Sequence, residues 1–104
     1  MLDYTKIQKK PFTVKLYDGT TLICTMPKKR TFEKMALMKD INADTLDEKS
    51  INDLYEVTAE ILSCNMQKKK YTADEVGEMF DIDDVIMLFN EYTEFTGYAT
   101  DDPN

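Results

Sequence analysis

Between Pro11 and Pro27 the chain alternates apolar and polar side chains twice, in Phe12-Thr13-Val14-Lys15-Leu16 and Thr21-Leu22-Ile23-Cys24-Thr25-Met26, on either side of Asp18-Gly19. A period of two sends successive side chains to opposite faces of a strand, and a break containing glycine lets the chain reverse. The stretch therefore predicts a β-hairpin over about residues 12–26. The alternation also discriminates between registers. A two-residue turn at Asp18-Gly19 pairs Val14 with Ile23 and sends Leu22 and Cys24 to the opposite face, beside Lys15. A three-residue loop of Tyr17, Asp18 and Gly19, with Gly19 left-handed as a bulge, pairs Leu16 with Thr20, Val14 with Leu22 and Phe12 with Cys24. Only the second register gathers the apolar side chains on one face that can be buried, so the bulged loop is predicted. Pro11 and Pro27 end the ladder, because each lacks a backbone donor.

Beyond the hairpin the apolar period changes to that of a helix. After Lys28-Lys29-Arg30, Thr31 is the expected N-cap of a short helix over 31–40 carrying Phe32, Met35 and Met38 on one side. A connector over 41–46 leads to a long helix over 47–65, with Thr45-Leu46-Asp47-Glu48 in capping-box spacing and Ser50 to Asp53 as a rival start. Ile51, Leu54, Tyr55, Thr58, Ile61 and Leu62 form one stripe of this helix, which is expected to pack centrally. Lys68-Lys69-Lys70 marks an exposed loop. Thr72-Ala73-Asp74-Glu75 is a second capping box, opening a helix over 73–80 with Val76, Met79 and Phe80. Asp81 breaks that helix and caps the next, over 82–96, which Gly97 stops; 98–104 reads as a polar tail. The expected fold is α+β, mainly α: an N-terminal β-hairpin followed by about four helices in one small domain spanning 1–104.

Composition narrows the function classes. The chain has 104 residues, 42% hydrophobic and 32% charged, which suits one globular core. It has no histidine, which removes the commonest general base and the commonest metal ligand, so an enzyme is not expected and no catalytic residue is assigned. No apolar run approaches membrane-spanning length and the N-terminus lacks the apolar core of a signal peptide, so a cytoplasmic protein without a membrane role is expected. Cys24 and Cys64 match no metal-ligand spacing and are read as reduced core thiols. Charge is unevenly distributed. Residues 1–39 carry nine bases and three acids, residues 40–104 four bases and seventeen acids, and from Tyr71 onward there are ten acids and no base. The net charge of -7 argues against a nucleic-acid partner, since affinity for phosphate comes from clustered Lys and Arg. The division also favours oriented contacts, including a head-to-tail homo-oligomer in which basic and acidic ends meet; light scattering at low and high salt tests that idea.

Two clusters resemble binding sites and have simpler explanations. Asp81, Asp83 and Asp84 lack the alternating ligands, central glycine and distant glutamate of a calcium loop, and all lie where carboxylates cap a helix, so neither metal nor cofactor is expected. Lys68 to Lys70 have no interleaved aromatic residue and read as a solvated loop. The last helix is more informative. Ile82, Val85, Ile86, Leu88, Phe89, Tyr92 and Phe95 cover about half its circumference, more than a lone surface helix needs. Ile82, Val85, Ile86 and Phe89 suffice for the core. Leu88, Tyr92 and Phe95 are therefore the candidate partner-binding edge, unless the long helix covers it, while Met87 falls on the polar side. Seven methionines add deformable apolar contacts.

The string KPFTVKLYDGTTLICTMPKKRTFEKM resembles the start of the small tail assembly chaperones of long-tailed phages and prophages of Gram-positive bacteria: a hairpin around Asp-Gly-Thr, a proline, basic residues and a short helix. The string ILSCNMQKKKYTADEVGEMFDIDDVIMLFNEYTEF is similar to the same family's helix ending at Asn, lysine-rich loop, capped Thr-x-x-Glu helix, acidic break and final helix with Tyr and Phe three apart. The resemblance covers most of residues 10–97. It implies a non-enzymatic protein that binds the aggregation-prone tape measure protein, helps recruit tail tube subunits, and is absent from the mature virion. In the wider family a ribosomal frameshift often adds a C-terminal extension, with which the ending over 99–104 is compatible. Two other classes compete with this expectation: a minor structural virion component such as a connector or stopper, and an acidic inhibitor mimicking DNA on a host protein.

Overall fold

The hairpin adopts the predicted register. In the computed structural model, which describes residues 1–6, 11–38 and 46–97, β1 (Phe12–Lys15) and β2 (Thr21–Cys24) pair antiparallel with Phe12 opposite Cys24 and Val14 opposite Leu22. The Leu16 amide donates to the Thr20 carbonyl at 2.8 Å and the Gly19 amide to the Leu16 carbonyl at 2.9 Å, closing a three-residue loop. Gly19 has φ +91°, a conformation in which a Cβ would be strained, and the Asp18 carboxylate accepts the Thr20 amide at 2.9 Å. Leu16, Leu22 and Cys24 are buried, while Thr13, Lys15 and Thr21 are exposed on the other face.

Among the described residues four α-helices follow: α1 (Lys29–Leu37), α2 (Glu48–Ser63), α3 (Ala73–Met79) and α4 (Ile82–Thr96). The fold is α+β and mainly α. The first and second helix starts correct the sequence reading. Thr31 does not cap α1, which begins at Lys29 with Lys28 at the N-cap and no side-chain cap bond. Thr31 lies inside the first turn, buried, and its hydroxyl donates to Glu60 of α2 at 2.8 Å. A carboxylate on the facing helix thus takes up the hydroxyl that local capping logic assigned to α1's own backbone. At α2, Asp47 is the cap and accepts the Ser50 amide at 2.8 Å, so the helix starts two residues later than a cap at position 45 would place it and Ser50 stands at the third helical position. α1 ends at Leu37 with Met38 as its C-cap, short of the expected end near Asp40. Thr45, residues 41–45 of the expected connector over 41–46, and the tail over 98–104 lie outside the described residues.

The remaining caps match expectation. Thr72 and Glu75 form a capping box on α3, and Asp81 and Asp84 form one on α4. Gly97, left-handed at φ +76°, ends α4. The central element is α2, which packs against α1, α3, α4 and β2. Because it is enclosed over a wide arc, Val57 and Ala59 are buried along with the predicted Leu54, Thr58, Ile61 and Leu62, whereas Ile51, near the open end, is 36% exposed. Val76 of α3 and Val85, Phe89 and Tyr92 of α4 complete the same core. Among the described residues no helix is long and apolar enough to cross a membrane.

Candidate functional site

The edge of α4 made by Leu88, Tyr92 and Phe95 is not free. The hairpin lies across it. Tyr92 is fully buried and its hydroxyl donates to the Thr25 carbonyl just beyond β2 at 2.6 Å. Phe12 of β1 stands edge-on to Tyr92, with ring centroids 5.3 Å apart, and contacts Phe95 at the same centroid distance. Leu88 is 8% exposed and Phe95 half-buried. The helical wheel correctly identifies these side chains as apolar and on one face. It carries no information about which neighbouring element covers that face, because the crossing of β1 over α4 is a contact between distant parts of the chain.

Covering α4 leaves a surface groove between β1 and α4, with a volume of ≈ 400 Å³. Phe12 and Val14 from the strand, with Leu88 and Phe80, supply its apolar lining; Thr13 and Lys15 border it on the strand, Met87 and Glu91 on the helix. Alternation along β1 turns Phe12 and Val14 inward, and Met87 is placed one residue before the buried Leu88, so it faces outward and is 64% exposed. A shallower hollow continues past Glu91 to Pro11, Glu94 and Phe95. Of the three predicted partner residues, Leu88 and Phe95 therefore touch accessible space and Tyr92 does not. Sequence reasoning missed Tyr17, Phe80 and Met87. The outward position of Met87 was legible, but the strand opposite it was not.

One end of the groove is closed by a polar clasp. Tyr17, in the hairpin loop, donates its hydroxyl to Asp84 at 2.8 Å, and its ring stands edge-on to Phe80 with centroids 6.0 Å apart. The other Asp84 oxygen accepts the Asp81 amide at 3.1 Å, so one carboxylate both caps α4 and anchors the loop. The hydrogen bond to Asp84 is the main reason the Tyr17 phenol has a raised pKa, with burial and the Asp84 and Asp81 charges acting in the same direction. Asp81 and Asp84, two of the three acids at this break, are thus engaged with backbone and phenol.

The Cys24 thiol is not poised for chemistry. Cys24 is fully buried, and burial, with Cys64 nearby, pushes its pKa up to about 11, so the thiolate is scarce at neutral pH. The lysine loop is held by Asn65, whose side chain donates to the Leu62 and Lys69 carbonyls at 2.7 and 2.9 Å and accepts the Lys69 amide at 3.0 Å. Taken together, the accessible chemistry is apolar contact, backbone hydrogen bonding and negative charge. No family model matches the chain, and neither a curated protein nor a solved structure matches it.

Proposed function

We propose that this protein is a non-enzymatic phage tail assembly chaperone, which binds tape measure protein in the cytoplasm of the bacterial host, helps recruit tail tube subunits and leaves before the virion is complete. The observation that carries this reading is the groove between β1 and α4, an accessible apolar cleft with a flexible methionine on its rim and carboxylates along its helical wall. Such a surface takes up apolar side chains of another polypeptide, and an unbranched thioether adapts to sequences that vary along a long client. The strongly acidic C-terminal third keeps the loaded complex in solution. Element order supports the same reading, since the hairpin, the basic start of α1, the lysine loop, the capped α3 and the acidic break before α4 occupy the strings that resemble the family.

The test is co-expression of the full chain with the tape measure protein encoded beside it. The client stays in the soluble fraction and co-purifies with the wild type, and Met87→Asp, which alters an exposed groove side chain, reduces recovery by about tenfold while the variant remains folded. A client that precipitates in the presence of wild type overturns the reading, as does recovery of the protein in purified particles, which would make it a structural virion component.

A further inference from the structure

The two outer edges of the hairpin differ. That of β2 is sealed by the segment after α2: the Ile23 amide donates to the Gln67 side chain at 3.0 Å, the Ile23 carbonyl accepts the Met66 amide at 2.9 Å, and the Thr21 carbonyl accepts the Gln67 side-chain amide at 2.5 Å. The Thr25 amide adds a bond to the Cys64 carbonyl at 2.8 Å. No equivalent segment borders β1 among the described residues. Leu16 and Thr20 form a hydrogen-bonded pair, and antiparallel ladders alternate, so Val14 with Leu22 and Phe12 with Cys24 are hydrogen-bonded too. Thr13 and Lys15 are the intervening residues. Their amides and carbonyls therefore point away from β2, along the border of the groove, just as those of Ile23 point away from β1.

We propose that the open edge of β1 is a strand-addition site, taking an extended segment of a partner polypeptide that is apolar at alternate positions and carries Lys or Arg toward the Pro11 end. Each property follows from a feature of the groove. Outward donors and acceptors on alternate residues of a strand are satisfied by another strand. Alternate apolar side chains of that strand would lie on Phe12, Val14 and Leu88, which an edge strand pairing with β1 would cover. The charge preference is set by Glu91 and Glu94 near Pro11, while Lys15 repels a base at the Tyr17 end, where Asp84 is already engaged. Pro11 and the Tyr17 clasp limit the ladder to a short one, which suits transient binding to many similar segments. That the tape measure protein supplies the strand rests on the chaperone reading; the pairing itself rests on the edge and the groove.

The probe is a blocked synthetic peptide that alternates valine with threonine and has lysines at one end, compared with the same peptide N-methylated at every amide, which keeps side chains and charge but removes all donors. The plain peptide binds the full-length protein and slows amide exchange at Thr13 and Lys15 by about tenfold or more, and the methylated peptide binds at least about tenfold more weakly. Thr13→Pro removes one outward donor at a position where an edge strand tolerates proline, and Glu91→Lys reverses the helical wall; each weakens binding by about tenfold, with melting temperatures close to wild type. Equal binding of both peptides, or no slowing at Thr13 and Lys15, overturns the proposal. So does a dimer whose Thr13 and Lys15 amides are already protected without peptide, which assigns the edge to a second copy. Strand pairing alone fails if Thr13→Pro keeps the tape measure protein soluble as well as wild type does, and the chaperone reading alone fails if the peptide pairs but the client is not held.

Discussion

Thr31 and Thr58 are both buried threonines on helices, yet only one has a partner for its hydroxyl. Thr31 donates to Glu60, whereas the Thr58 hydroxyl on α2 meets no hydrogen-bond partner among the described residues. A buried unpaired hydroxyl has lost water without replacement, so the isosteric Thr58→Val should stabilise the fold by about 1 kcal/mol and raise Tm by about 5 °C, read by thermal denaturation. Thr31→Val carries the opposite sign, because it removes a donor from a charged acceptor and costs about 1–2 kcal/mol. The sequence places Thr31 at a helix start and Thr58 in an apolar stripe, and neither placement reveals its hydroxyl's partner, since that depends on what the facing helix presents.

The joint between α1 and α2 is centred on Glu60, which accepts from Thr31 and from Lys34 and has Arg30 at 3.6 Å. Burial alone would push this carboxyl up; the hydrogen bonds from Lys34 and Thr31, with the charges of Lys34 and Arg30, outweigh it and hold the pKa below the ordinary 4.5. A lowered folded-state pKa means stability that is present above the unfolded value and is lost as pH falls through the folded one. Glu60→Gln should therefore cost about 1–2 kcal/mol near neutral pH, with the gap from wild type closing below about pH 4 in urea titrations. Two glycines give a second pair of opposite signs. Gly19→Ala forces a Cβ into the left-handed hairpin loop and costs about 1–2 kcal/mol, whereas Gly77→Ala, in α3 with nothing within 4 Å of the added Cβ, stabilises by about 0.5–1 kcal/mol. The hairpin register, the Thr72–Glu75 capping box, the Asp81 cap and the Gly97 stop were legible in the sequence because each is decided within a few residues by steric or capping rules. The start of α1 was not, because Glu60 comes from another helix.

At the level of the whole molecule, adjacent residues on α4 have unlike roles. Leu88 faces the core and Met87 the groove rim, so Leu88→Asp should unfold the protein or cost about 3–5 kcal/mol, while Met87→Asp should change the urea midpoint by less than about 0.5 kcal/mol equivalent. This ordering reverses what the free-edge expectation for Leu88, Tyr92 and Phe95 implied, and it makes Met87 the informative variant for binding. By itself the sequence determined the two-period-to-helical order of elements, the hairpin register, most helix stops and the apolar identity of the α4 face, all properties of side-chain alternation and short-range sterics. Only the tertiary structure decided that β1 crosses α4, that the outer edge of β2 is sealed by Asn65 to Gln67 while that of β1 is open among the described residues, and that Tyr17 reaches Asp84 across 67 positions of chain. Those outcomes depend on which apolar faces meet when the core closes, and burial is non-directional, so the pattern along the chain names the faces without naming their partners.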